Sequence, residues 1–176
     1  FEDHSTLRTP GNENFGGFQF FPESKKNSAK ISFENGRMVI DTREFFRDAK
    51  AGEEVTLRLP VGKFTPDRKA RLSVDMSAVP NTEFELYFEG RDIVNGKDNH
   101  YWRAKRCLAG ETSQVFEYEE ILPASLKELH LRLTFRKAAV FTLGAYGFTE
   151  VREVAVDTEK ENVVNGGAER GLYGVA

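Results

Sequence analysis

From Leu129 to Arg136 the chain alternates without a break: Leu129, Leu131, Leu133 and Phe135 occupy one parity, His130, Arg132, Thr134 and Arg136 the other. A period of two places successive side chains on opposite faces of an extended backbone, so this segment reads as a β-strand with one buried and one wet face. Short turns flank it at Pro123 to Leu126 and at Lys137 to Ala139. An extended run precedes it from Gln114, and an aromatic run broken by Gly144 and Gly147 follows from Val140. Three consecutive strands are therefore expected between Gln114 and Val151, and an all-β antiparallel sandwich is the economical architecture for them.

The rest of the chain repeats the pattern. Phe18 and Phe20 share a parity before Pro22, and Asn35-Gly36 separates the runs Lys30 to Phe33 and Met38 to Thr42. Asn-Gly tolerates the positive φ angles of a tight hairpin turn. Thr42 is placed to cap a short helix from Arg43 to Lys50 that exits at Gly52. Val55, Leu57 and Leu59 form one inward set, Ala70, Leu72, Val74 and Met76 a second, and Phe84, Leu86 and Phe88 a third. Residues Gly90 to Asn99 read as a long turn-rich loop, the kind of connection that more often carries function than the strands it joins. His100 to Leu108 follows as a strand. Fifteen Phe, five Tyr and one Trp suit a core between two sheets.

The domain plan expected is an extended arm over residues 1–14, one sandwich over 15–156, and a linker with the start of a following domain over 157–176. A chain of 176 residues buries about 70% of its unfolded surface in one core, so no metal or disulfide is required to hold it. Cys107 is the only cysteine and reads as a small buried thiol. A net charge of −3 gives no general attraction to nucleic acid or to an anionic membrane, and neither is expected as a partner. No apolar run is long enough to span a bilayer. The first residues lack the regions of a signal peptide, and a start at Phe1 rather than Met allows for a removed leader.

The succession of a strand, a turn, the L-x-L-x-F strand at Leu131 to Phe135 and a closing aromatic strand resembles the C-terminal half of bacterial carbohydrate-binding modules of the family 4 and 9 type. Residues Val163 to Gly171, VVNGGAERG, look like the V-N-G-G-x-E-x-G opening of such a module, here at the start of a second one. The resemblance implies a jelly-roll sandwich without catalytic activity, serving as an accessory module of a secreted or surface polysaccharide-active protein. Its partners would be a poly- or oligosaccharide and tethered domains of the same chain. The alternative is a structural sandwich that packs against neighbouring domains and binds no sugar. Relatives often hold a structural calcium between an acidic residue near the opening and an aspartate of the closing strand. This chain departs at both places, with Gly16-Gly17-Phe18-Gln19 and an aspartate-free Phe141 to Tyr146, and no cofactor or metal is assigned.

In modules of that fold, sugars lie against flat aromatic faces and pair their hydroxyls with planar polar groups. The candidate ligand-binding residues are Tyr87, Tyr101, Trp102 and Tyr118, with Arg91, Asn99, Arg103 and Arg132 as polar partners, Asp98 beside them. Adjacent Tyr101 and Trp102 must point to opposite faces of a regular strand. Arg103, Lys105, Arg132 and Arg136 would form a cross-strand ladder with Glu83, Glu85, Glu89 and Asp75 on one outer sheet, or else a basic groove for an acidic glycan. A catalytic reading rests on Glu83 with Glu85, two apart on one strand, or on His100, Tyr101, His130 and Arg132. Alternation separates His100 from Tyr101, and the scattered histidines have no zinc spacing.

Overall fold

The computed structural model describes residues 3–8, 18–21, 30–47 and 52–151. Eleven strands and one helix lie among them: β1 (Asp3–Arg8), β2 (Gln19–Phe21), β3 (Lys30–Glu34), β4 (Arg37–Asp41), α1 (Arg43–Arg47), β5 (Val55–Pro60), β6 (Lys69–Val79), β7 (Thr82–Val94), β8 (Lys97–Ala109), β9 (Gln114–Ile121), β10 (Leu126–Phe135) and β11 (Val140–Val151). One sheet has the order β3-β4-β11-β6-β9, with β1 also pairing β11, and the other has β2-β5-β10-β7-β8. All pairings are antiparallel. The two-sheet sandwich expected from alternation is the fold. The strands β9, β10 and β11 are consecutive in sequence but not neighbours in space: the chain crosses between sheets at each turn.

The core is the sum of the inward parities. Leu57 and Leu59, Leu72, Val74 and Met76, Leu86 and Phe88, Leu131, Leu133 and Phe135, and Phe141 and Leu143 are all fully buried. Phe135 links several layers, lying 4.4 Å from Phe141 and 6.4 Å from Phe84 between ring centroids. Each such side chain contributes about 1.5–3 kcal/mol of transfer free energy on burial, and their sum is the main force that holds the two sheets together.

The turn at Asn35 and Gly36, with φ of 53° and 75°, joins β3 to β4 as its sequence implies. Thr42 anchors the start of α1: its hydroxyl donates to the Lys137 carbonyl at 2.9 Å and accepts from the Ala139 amide at 3.1 Å. The helix is described to Arg47, and residues 48–50 of the expected span lie outside the described residues. The strand β1 falls in the segment expected as an extended arm, where the sequence has no period to announce it. The tail at 157–176, with its second opening motif, also lies outside the described residues. Among those described, no helix is long and apolar enough to cross a membrane.

One expectation is overturned. Gly90 to Asn99 is not a long loop: β7 continues to Val94 and β8 begins at Lys97, joined by Asn95-Gly96 with φ of 53° and 76°. The polarity that suggests a loop arises because the β7–β8 hairpin ends in exposed positions from Arg91 onward. Gly90 has a specific reason to lack a side chain. A β-bulge in β10 between Leu126 and Glu128 brings the backbone across it, and a Cβ at Gly90 would stand 1.8 Å from the Glu128 carbonyl oxygen.

Candidate functional site

The register of β5, β10, β7 and β8 sets the outer face of their sheet. Pro60, His130, Glu89 and Trp102 form one cross-strand row; Arg58, Arg132, Tyr87 and Ala104 form the next; Thr56, Thr134, Glu85 and Arg106 form a third. Side chains opposite one another in such rows stand within reach of contact.

Glu89 is the centre of this face, although its carboxylate is only 1% exposed. It accepts hydrogen bonds from Arg58 Nε at 2.9 Å, His130 Nε2 at 2.7 Å, His100 Nε2 at 2.8 Å and Arg132 Nη1 at 2.7 Å. Burial alone would raise its pKa, but the four donors, His130 and His100 foremost, outweigh that and hold it far below the ordinary 4.5. With the carboxylate ionised and acceptor-only, each histidine must present Nε2–H to it.

Arg132 is a strut. Besides Glu89 it reaches Glu54 Oε2 and Thr134 Oγ1, both at 2.8 Å, and its guanidinium lies 4.2 Å from the centroid of the Tyr87 ring. Tyr87 is thus covered, 7% exposed, with its hydroxyl donating to Glu85 at 2.8 Å. Burial and the Glu85 carboxylate push its phenol pKa up. On the other side its ring meets that of Trp102, centroids 6.1 Å apart and tilted by 51°. Trp102, 51% exposed, stands out from this packed polar floor.

Two clefts flank it. One, of about 380 Å³, lies toward the hairpin tip and is lined by Arg58, Glu89, Arg91, Asn99, His100 and His130 among others. There Arg91 is paired with Asp98 and with Glu128 at 2.9 Å, and the Asn99 amide donates to the Lys97 carbonyl at 3.2 Å. The other, of about 170 Å³, lies toward β8's far end between Glu83, Glu85, Thr134, Arg106, Arg136 and Lys137.

Of the sequence-derived candidates, Tyr87, Trp102 and Arg132 share the face, and Arg91 and Asn99 line the adjoining cleft. Tyr101, Tyr118 and Arg103 do not belong with them. Tyr101 and Arg103 have the opposite parity on β8: Tyr101 turns into the core and is 4% exposed, while Arg103 is exposed, its guanidinium 4.8 Å from the Tyr101 ring centroid. Tyr118 sits on β9 in the other sheet, 5.3 Å from Phe88. Its hydroxyl donates to Glu120 at 2.6 Å, and burial pushes its pKa up. The expected charge ladder is likewise corrected: Lys105 donates to the Glu117 carbonyl at 2.6 Å across the sandwich edge, and Asp75 lies in the other sheet. The ladder that exists runs through Arg58, Arg132 and Arg136 with Glu54, Glu85 and Glu89.

The catalytic sets do not converge on a free acid and base. Glu85 is occupied by Tyr87 and Arg136, and both histidines are spent on Glu89. Among the described residues no group of three or more His, Cys, Asp or Glu side chains is arranged to hold a metal. Sequence reasoning passed over Arg58 and Arg106 as members of a site, placed Glu89 only in a charge ladder, and brought in His100 and His130 only as a catalytic set. For Arg106 the available signal was its parity with Trp102, and for Arg58 its parity opposite to Leu57 and Leu59.

No family model matches the chain, and no curated protein matches it. Its fold does match solved structures. The CBM22-1–GH10 modules of the Clostridium thermocellum N-terminal endo-1,4-β-D-xylanase 10B, complexed with xylohexaose, align at a TM-score of 0.61 and 15% identity, over 86% of this chain and 29% of that one. The present chain thus spans under a third of that xylanase chain. The second N-terminal cellulose-binding domain of Cellulomonas fimi β-1,4-glucanase C aligns at 0.55 and 15% identity, over 83% and 93%. A family 29 carbohydrate-binding module from Piromyces equi aligns at 0.52 and 11% identity, over 86% and 93%. At such identities the likeness is one of fold: the chain is a jelly-roll β-sandwich whose structural neighbours are carbohydrate-binding modules.

Proposed function

We propose that this protein is a non-catalytic carbohydrate-binding module whose binding surface is the outer face of the β2-β5-β10-β7-β8 sheet. The observation that carries this reading is the half-exposed Trp102 rising from a floor of interlocked polar side chains. An indole face offers rigid apolar area to the C–H face of a pyranose ring. Around it, Glu89 holds His100, His130, Arg58 and Arg132 in fixed positions as a polar surround. Groups held in place before binding lose little freedom on binding, which favours affinity for a flexible polar ligand.

The ligand class to test first is a β-1,4-linked polysaccharide, in keeping with the xylohexaose complex and the cellulose-binding domain among the structural neighbours. The module would occupy residues 15–156 of a secreted or surface-attached, multidomain polysaccharide-active protein, with β1 added to its sheet from the preceding segment and 157–176 leading to a further domain. Tethering then raises the local concentration of substrate for a catalytic neighbour. The rival reading, a structural module that binds no sugar, draws on Val115 and Ile121, which are 59% and 67% exposed on the outer face of β9 in the other sheet.

Electrophoresis through native gels cast with neutral and acidic polysaccharides separates the two. Retardation by one class of polysaccharide, lost in a folded Trp102→Ala variant, supports glycan binding; free migration through every gel supports the structural module.

A further inference from the structure

The outer face of this sheet carries five arginines from β5, β7, β8 and β10 and its C-terminal edge: Arg58, Arg91, Arg106, Arg132 and Arg136. Four of them are ion-paired. Arg106 is not, although Glu85 is its direct partner across the β7–β8 ladder. Glu85 is turned the other way, accepting from the Tyr87 hydroxyl at 2.8 Å and from Arg136 at 3.1 Å. The Arg106 guanidinium is left at the mouth of the 170 Å³ cleft with Lys137 on its rim. Among the described residues neither has a carboxylate within 4 Å, and Glu83 is the one acidic group of the cleft not engaged by a cation. Of the cleft's groups outside an ion pair, Arg106 and Lys137 set two positive charges against the one negative charge of Glu83.

Arg106 shares its parity with Trp102 and follows it by four residues on the same strand, so the two stand about 13 Å apart at the rise of an extended chain. Ala104 lies between them and opposite the covered Tyr87, leaving a low stretch of surface from the indole to the guanidinium. A short oligosaccharide seated on Trp102 and running along β8 would bring a later residue to the cleft.

We propose that Arg106, with Lys137 beside it, forms an anion subsite at the end of this track, selecting glycans that carry a carboxylate or sulfate substituent. The planar guanidinium suits either oxyanion, which it meets with two parallel N–H donors. This proposal rests on glycan binding at Trp102 and adds a preference among glycans to it.

The test compares three ligands built on one β-1,4-linked oligosaccharide: plain, carrying a uronic acid branch, and carrying a sulfate ester. Affinities are measured by calorimetry for the wild type, Arg106→Gln, Lys137→Gln and Trp102→Ala, each checked for an unchanged melting temperature. The wild type is expected to prefer an anionic ligand over the plain one by up to about fivefold, the reach of an exposed ion pair. That ratio should shrink with added salt and fall to one in Arg106→Gln. The separate uronate and sulfate arms identify the oxyanion. A ratio of one in the wild type, or a ratio unaltered by Arg106→Gln, overturns the subsite, while loss of plain-ligand binding in Trp102→Ala would still uphold the module. Failure of all three ligands to bind overturns both.

Discussion

Glu89 and Trp102 are direct partners across β7 and β8, yet one is sunk to 1% exposure and the other stands out at 51%. Their contrast divides the labour of this face. The carboxylate gathers two arginines and two histidines into a rigid floor, and the indole rises from it.

Because Trp102 is half-exposed, its truncation should cost little stability. Trp102→Ala is expected to change the unfolding free energy by no more than about 1 kcal/mol, with the loss of packing on Tyr87 as its main component. A denaturant titration of both proteins checks this; a drop of several kcal/mol would mean that the indole is a structural member.

Removing the Glu89 carboxylate should be costly, since it would leave Arg58 and Arg132 deprived of a buried partner. Glu89→Ala is expected to lose about 3–5 kcal/mol. The pH dependence follows from the same geometry. The folded-state pKa of Glu89 lies below its ordinary 4.5, so its contribution is fully present above that value and is lost as the pH falls below it. Acid unfolding monitored by circular dichroism should therefore show a shallower decline below pH 4.5 in Glu89→Gln than in the wild type.

Gly90 meets the Glu128 carbonyl so closely that no rotamer adjustment relieves an added methyl group. Gly90→Ala should destabilise by about 1–3 kcal/mol or more, through displacement of the β10 bulge. Thermal melting tests it, and a variant as stable as the wild type would show that the bulge yields freely.

Cys107 is 4% exposed, and burial, partly opposed by Lys105, pushes its thiol pKa up to about 11. Alkylation by iodoacetamide at pH 8 should be slow in the folded protein and fast in denaturant, because the thiolate is the reactive form. Mass spectrometry over a time course reads the difference.

Much of the sandwich was legible because its strands alternate over many residues. Leu129 to Phe135, Ala70 to Met76 and Phe84 to Phe88 each point one parity inward, as hydrophobic periodicity requires. The β7–β8 hairpin was misread because Arg91 to Asn99 lie at a polar, exposed end, where no apolar face marks them as strand. Alternation also separated Tyr101 from Trp102 correctly. It does not say which aromatic residues share a face: Tyr101 has the parity opposite to Trp102, and Tyr118 belongs to the other sheet. Glu89 was harder still. Its partners Arg58, His100, His130 and Arg132 come from three other strands, and only the sheet order β5-β10-β7-β8 brings them together.

Trp102 is the only tryptophan of the chain, so its fluorescence reports directly on the proposed platform. Titration with β-1,4-linked oligosaccharides of increasing length should produce a saturable change in emission and protect the indole from quenching by acrylamide. Unaltered emission and quenching across the ligand panel would contradict glycan binding at this face.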